Sequence, residues 1–157
     1  MTRLDEKEII RIFQKSLGKK TSEDVETFRL GSNLGVIKTD TLVESTDIPP
    51  GMTLHDAARK SVVACVSDFA AKGVWPLYGV VSVAMPRRYS AKKIKQVADG
   101  LRDAAREFGF SILGGDTNEG KELVMSVSVF GISQRIVRRS GAKAGDSNSG
   151  ISAAGPM

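Results

Sequence analysis

The 157-residue chain has one cysteine, one histidine and no long apolar run, and each shortage excludes something. A lone thiol, Cys65, cannot close an intramolecular disulfide and points to a reducing compartment. It lies among apolar residues, which reads as a buried helical thiol rather than a nucleophile. The single histidine, His55, has no cysteine or second histidine at metal-ligand spacing, so it reads as a surface residue and not a zinc ligand. No Ser/His/Asp set, Walker loop or GxGxxG motif is present. No stretch reaches the ~20 apolar residues of a spanning helix, and the acidic, amphipathic start from Met1 to Ile10 is unlike a secretory leader. A cytoplasmic protein with no membrane partner is expected.

Basic residues exceed acidic ones, giving a formal net charge of +5. A nucleic-acid partner is the first class such a charge suggests. The cations are interleaved with acids, however: Lys92, Lys93, Lys95, Arg102 and Arg106 alternate with Asp99, Asp103 and Glu107. That pattern reads as a solvated helix face, and no aromatic-interleaved basic block accompanies it. No nucleic-acid partner is expected, and attraction for anionic small molecules fits the charge equally well.

Periodicity divides the chain into one α+β domain. Residues 4–16 read as a helix with Ile9, Phe13 and Leu17 on one face. Val25 to Leu30 and Leu34 to Glu44 read as a hairpin around Gly31-Ser32-Asn33. Pro49-Pro50-Gly51 turns the chain. Thr53 to Lys72 is the strongest helix, opened by a Thr53/Asp56 cap and ended by Gly73. Trp75-Pro76 is expected to pack at the junction with a strand from Tyr78 to Met85. Ser90 caps a further amphipathic helix ending at Gly109, followed by strands at Phe110 to Leu113 and Leu123 to Ile132. This order predicts a mixed or antiparallel sheet with its helices on one face. From Ser140 to Met157, Ser, Gly and Ala supply 12 of 18 residues, the composition of a flexible linker or tail. The domain is therefore placed at 1–139.

Four aspartates stand in settings that invite chemistry. Asp116 follows two glycines in Gly114-Gly115-Asp116-Thr117, directly after a short apolar strand. The glycines let the backbone approach a ligand, but a plain turn with a solvated aspartate has the same pattern. Asp40 interrupts a strand rich in Val, Ile and Leu, where it either faces solvent or binds something. Asp68 falls about 60° from Cys65 on the helical wheel, at the edge of the apolar stripe, as a ligand or as a boundary residue touching a lysine. Asp24 alone is uninformative. Carboxylates converging in a fold require cations between them, and magnesium takes oxygen ligands and substrate phosphates.

Together, Thr39-Asp40-Thr41-Leu42-Val43-Glu44, Ser67 to Gly73, Gly114 to Thr117 and Arg139 to Asp146 resemble the N-terminal domain of thiamine-monophosphate kinase. That family belongs to the aminoimidazole ribonucleotide synthetase-like superfamily. The resemblance implies a sheet that pairs with a second subunit's sheet in a homodimer. It also implies magnesium-dependent transfer of the ATP γ-phosphoryl group to thiamine monophosphate. It places magnesium at Asp24, Thr39, Asp40, Asp68 and Asp116, and the nucleotide at Gly115, Asp116 and Arg139. Three departures stand out. Ser22-Glu23-Asp24-Val25 replaces the family's Gly-Asp-Asp, and Lys38 stands where a hydroxyl residue often precedes Thr39. Asp47 replaces a histidine near the substrate, which makes Asp47 the candidate substrate-binding residue. Members are about twice as long, so a second domain is expected to be absent here. Two alternatives remain open: another ATP-dependent member of the superfamily, or a non-catalytic dimerisation or nucleotide-binding module.

Overall fold

The structure, a computed structural model, describes residues 5–18 and 23–140. All of the expected tail except Ser140 lies outside the described residues. The elements run α1 (Glu6–Leu17), β1 (Glu26–Leu30), β2 (Asn33–Val43), α2 (Glu44–Asp47), α3 (Leu54–Ala71), β3 (Pro76–Met85), α4 (Ala91–Glu107), β4 (Ser111–Glu119) and β5 (Val124–Ser133). The five strands form one sheet in the order β1-β2-β5-β3-β4. Every pairing is antiparallel except β3 with β4. Those two are parallel because α4 carries the chain back between them.

Strand alternation decides which face is covered. Met125, Val127 and Val129 of β5 are buried, as are Val81 and Val83 of β3 and Val36 and Leu42 of β2. The intervening residues point to the other face. Helix α3 packs on β2 and β5, α4 packs on β4, and the two helices pack on each other. The expected α+β class, with a mixed sheet and helices on one face, is the observed one. Phe69 of α3 is fully buried in the core with Val62, Cys65 and Met125.

Local chemistry explains the helix ends. Thr53 accepts the Asp56 N–H at 3.1 Å and donates its hydroxyl to the Asp56 carboxylate at 2.7 Å. Ser90 accepts the Lys93 N–H at the start of α4. Gly73 and Gly109 follow their helices with φ of 67° and 70°, where a side chain would be strained.

Several expectations need correction. The short helix α2 was not anticipated; it forms where the Asp47 carboxylate accepts the Val43 N–H at 2.7 Å. Strand β4 does not stop at Leu113 but continues to Glu119, because its pairing with β3 runs through Gly114 and Gly115. Pro76 is buried at the junction, whereas Trp75 is exposed. No residue of α1 is buried, so its apolar stripe does not contribute to this core. His55 is half-buried rather than free on the surface, with Nε2 3.1 Å from Asp103 across the α3–α4 seam. That hydrogen bond raises its pKa, against a smaller opposing effect of burial.

The seam is close because Gly100 has no side chain. A Cβ there would stand 2.3 Å from the His55 carbonyl oxygen and 2.9 Å from the Ala58 Cβ. Alanine is the better helix former by ~1 kcal/mol, but the obstacle is backbone, which does not swing aside. Gly100→Ala is therefore expected to destabilise the domain by roughly 1–3 kcal/mol. Urea denaturation checks this, and a midpoint at or above wild type would show that the seam has room.

Candidate functional site

On the helix-covered face, β2 presents Lys38 and Asp40, two residues apart, between buried Val36 and Leu42. Asp68 meets them from α3, one turn beyond Cys65. The Lys38 Nζ lies 2.7 Å from Asp68 and 3.7 Å from Asp40. All three are half-buried, the lysine side chain being 21% exposed and that of Asp68 29%. Burial pulls the lysine pKa down, but the hydrogen bond to Asp68 and the charges of Asp68 and Asp40 outweigh it and leave it raised.

A second group adjoins the first. Lys72, at the end of α3, is 3% exposed, with its Nζ 2.5 Å from Glu23 and 3.3 Å from Asp24. The Arg139 guanidinium lies 2.8 Å from Asp24, and the Arg139 N–H donates to Glu23. The Lys72 hydrogen bond holds the Glu23 pKa below its usual range. Burial pushes Asp24 upward, but Lys72, Arg139 and Lys38 together bring it below the ordinary value. Lys38 thus acts on both groups, which form one array of four carboxylates and three cations. Among the described residues, no three acidic, histidine or cysteine side chains gather closely enough to hold a metal ion by themselves.

The other expected site residues lie elsewhere. Strand register places Thr41, Ser126, Ser82 and Asp116 in one row across the sheet. Asp40 belongs to the adjacent row with buried Val127 and Val81, so Asp116 points away from the helices while Asp40 points toward them. Three strand spacings, about 14 Å, separate β2 from β4. Thr39 also faces outward, donating to the Val127 carbonyl and accepting from the Ser128 hydroxyl at 3.0 Å. The five expected metal residues therefore do not converge on one point: Asp40 and Asp68 share Lys38, Asp24 lies in the adjoining group with Lys72 and Arg139, and Thr39 and Asp116 face the other side of the sheet.

The glycine pair lies within β4, where one of its members is required by packing. A Cβ on Gly115 would sit 1.7 Å from the Val81 carbonyl oxygen, whereas one on Gly114 would meet nothing within 4 Å. Only Gly115 is required, and what it admits is the neighbouring strand. Asp47 is occupied in capping α2. Cys65 donates to the Val127 carbonyl at 3.2 Å, and burial pushes its pKa up to about 12, so it is the inert thiol expected. Sequence reasoning missed Glu23 and Lys72 as partners. The signal available for Lys72 was its place one helical turn after Asp68, within a motif whose other residues drew the attention.

The outer face divides in two. Phe28, Ile37, Tyr78, Val80, Leu113 and Ile132 are exposed apolar residues. Ile37, Tyr78, Val80 and Leu113, with Phe130, line a hollow of about 220 Å³. Beyond it stand the hydroxyls of Thr39, Thr41, Ser126 and Ser128, with Thr41 and Ser126 2.8 Å apart.

The lowered pKa values set a pH dependence. A carboxylate depressed on folding stabilises the fold above its unfolded value and loses that contribution as pH falls through the folded one. Glu23 and Asp24 therefore stabilise the domain at neutral pH, and this support fades below about pH 4. Lys72→Met is expected to lower the Tm at pH 7 and to flatten its fall between pH 5 and 3, a window of about 2 pH units. Thermal melts across that range measure it; parallel wild-type and variant profiles would show that the array does not govern acid stability.

Comparison with known proteins places the chain. A family model described as AIR synthase related protein, N-terminal domain, matches residues 22–133. The thiamine-monophosphate kinase of Nitrosopumilus maritimus is 60% identical over 146 residues, covering 93% of this chain and 47% of that protein. That of Pyrococcus horikoshii is 35% identical over 147 residues, covering 93% and 48%. A solved structure described as AaThiL complexed with AMPPCP and TMP has the same fold, with a TM-score of 0.86 at 24% identity, covering 94% of this chain and 49% of that one. The chain spans about half the length of the curated relatives it matches. It belongs to the AIR synthase related family, as an N-terminal domain of the thiamine-monophosphate kinase kind.

Proposed function

We propose that this domain serves a thiamine-monophosphate kinase, in which magnesium and ATP phosphorylate thiamine monophosphate to thiamine diphosphate. A phosphate oxygen of thiamine monophosphate attacks the γ-phosphorus, the bond from that phosphorus to the bridging oxygen breaks, and ADP leaves. The observation that carries this reading is the long match, at high identity, to a protein named for that activity. The array supports it chemically. Asp40 and Asp68 are hard oxygen donors that share the Lys38 ammonium, and Asp24 lies in the adjoining group against Lys72 and Arg139; carboxylates are the donor type that magnesium takes. An ion taken up among the domain's acids would supply charge neutralisation for the polyphosphate.

The chain's own residues contribute position and charge. Asp68 and Asp40 hold one cation position on the helix side of the sheet. Arg139 lies beside Asp24 and would reach the nucleotide on release from it. Asp116 would serve the nucleotide from the outer face, with Thr39 on the same side, and Gly115 would contribute the backbone that precedes it. Asp47 would serve the substrate only on release of its carboxylate from the Val43 N–H.

The apolar half of the outer face fits a second copy. Contiguous exposed apolar surface on a sheet marks an association site, and a homodimer formed there would enclose Asp116 and Thr39 as well. One feature favours a second reading, a dimerisation or nucleotide-binding module without turnover. Each of the four carboxylates in the array already has a lysine or arginine within 4.0 Å.

A coupled assay on the intact protein should show ADP formation that requires both thiamine monophosphate and magnesium. Because Asp116 is exposed, Asp116→Asn is expected to lower kcat by ~10²-fold or more while leaving the Tm unchanged. Equal loss of activity and stability would assign it a structural role, and ADP formation indifferent to thiamine monophosphate would remove the kinase reading. Light scattering tests the face separately. Val80→Asp, on exposed β3 surface, should convert a dimer into a folded monomer, and a wild-type monomer would defeat the dimer reading.

A further inference from the structure

Lys38 is the part of the array that the kinase reading leaves unexplained. It enters on the same strand face as Asp40, where its neighbours Val36 and Leu42 are buried. A lysine there costs desolvation and side-chain entropy, and a surface ion pair would return little of either. Its ammonium instead bridges two carboxylates from different elements, 2.7 Å from Asp68 and 3.7 Å from Asp40. These are the two acids that would otherwise be left half-buried and facing each other without a counter-charge.

We propose that the Lys38 ammonium fills a cation position between Asp40 and Asp68 that a divalent ion would otherwise take. Lys38 is then a positioning residue, and the chain binds one divalent ion fewer than its carboxylates could hold. This rests on the magnesium reading above. The charge count agrees. Glu23, Asp24, Asp40 and Asp68 carry four negative charges, and Lys38, Lys72 and Arg139 already return three. A divalent ion added between Asp40 and Asp68 with Lys38 in place would meet an ammonium within contact distance of its ligands. The tethered amine has no diffusional entropy to lose, which favours it over a free ion at this position. Cys65, the nearest softer donor on α3, is committed to the Val127 carbonyl, so the position is an oxygen-only one, suited to magnesium or manganese.

Manganese binding, read by the loss of the free-ion signal in electron paramagnetic resonance, tests this without reference to turnover. Wild type, Lys38→Met, Lys38→Gln and Lys38→Arg are titrated with Mn²⁺ alone. Lys38→Met and Lys38→Gln are expected to bind one more ion per chain than wild type, and Lys38→Arg the same number as wild type. Adding Asp68→Asn to Lys38→Met should abolish the extra ion. At ~100-fold excess of Mn²⁺ over its Kd, the Tm of Lys38→Met should rise by roughly 5–10 °C more than that of wild type. If wild type binds manganese and Lys38→Met binds the same number, Lys38 is an ion pair only and the proposal falls while the magnesium reading stands. If no form binds manganese, both fall. Failure of Lys38→Met and Lys38→Gln to fold even in Mn²⁺ also overturns the proposal, because an ion at the pair would restore the missing charge.

Discussion

Strand β2 cannot turn Lys38 and Asp40 outward without also exposing Val36 and Leu42, because residues two apart share a face. Burial of the two aliphatic side chains therefore drags two ionised ones under the edge of α3. A half-buried carboxylate needs a partner, and so does a half-buried ammonium. Asp68 completes the set from α3, at the rim of the same stripe that buries Cys65 and Phe69. The placement of β2 against α3 and the convergence of charge are thus one constraint. Each depends on the other: misregister of β2 by one residue would expose the aliphatics and bury Ile37, Thr39 and Thr41 instead.

A similar coupling joins the ends of the domain. Lys72 follows Asp68 by one helical turn and is almost wholly buried, an unusual place for lysine. Its carbonyl accepts the Val137 N–H, and its ammonium reaches Glu23 and Asp24, so residues before β1 and after β5 are tied to the end of α3. Glu23 and Arg139, more than a hundred residues apart in sequence, meet there. The positions that the resemblance associates with metal and nucleotide are held by the same network that closes the domain, so chemistry and stability are not separable at Asp24.

Most of the architecture was legible because period and punctuation agreed. The α3 stripe, the Thr53 and Ser90 caps and the glycines after both long helices all pointed to the same boundaries. Of the two readings of Asp68, ligand or boundary residue touching a lysine, the structure shows the lysine contact, but no local rule identifies Lys38, thirty residues earlier, as that lysine. The extent of β4 was hidden for a related reason. Glycines read as a turn when judged alone, whereas Gly115 is needed because Val81 of the adjacent strand lies against it. Face assignment was the deeper difficulty. Whether Asp40 and Asp116 share a side follows from strand order and register, which depend on pairing across the whole sheet and leave no local trace.

The separation of Asp40 from Asp116 bears on how such a site could work at all. Phosphoryl transfer between two anionic substrates needs positive charge distributed along the line of transfer rather than concentrated at one point. A sheet with acids on opposite faces cannot supply that from one pocket; it can supply it where its edge or its outer face meets further protein. The helix-side array is already near neutrality through Lys38, Lys72 and Arg139, while exposed Asp116 has no cation assigned to it by this network. An incoming metal–polyphosphate complex would therefore find its less contested acid on the outer face. On the helix side it would have to displace a side chain or use the one already there. A lysine fixed between two aspartates gives that side a preset positive charge, supplied by the chain itself rather than by an ion.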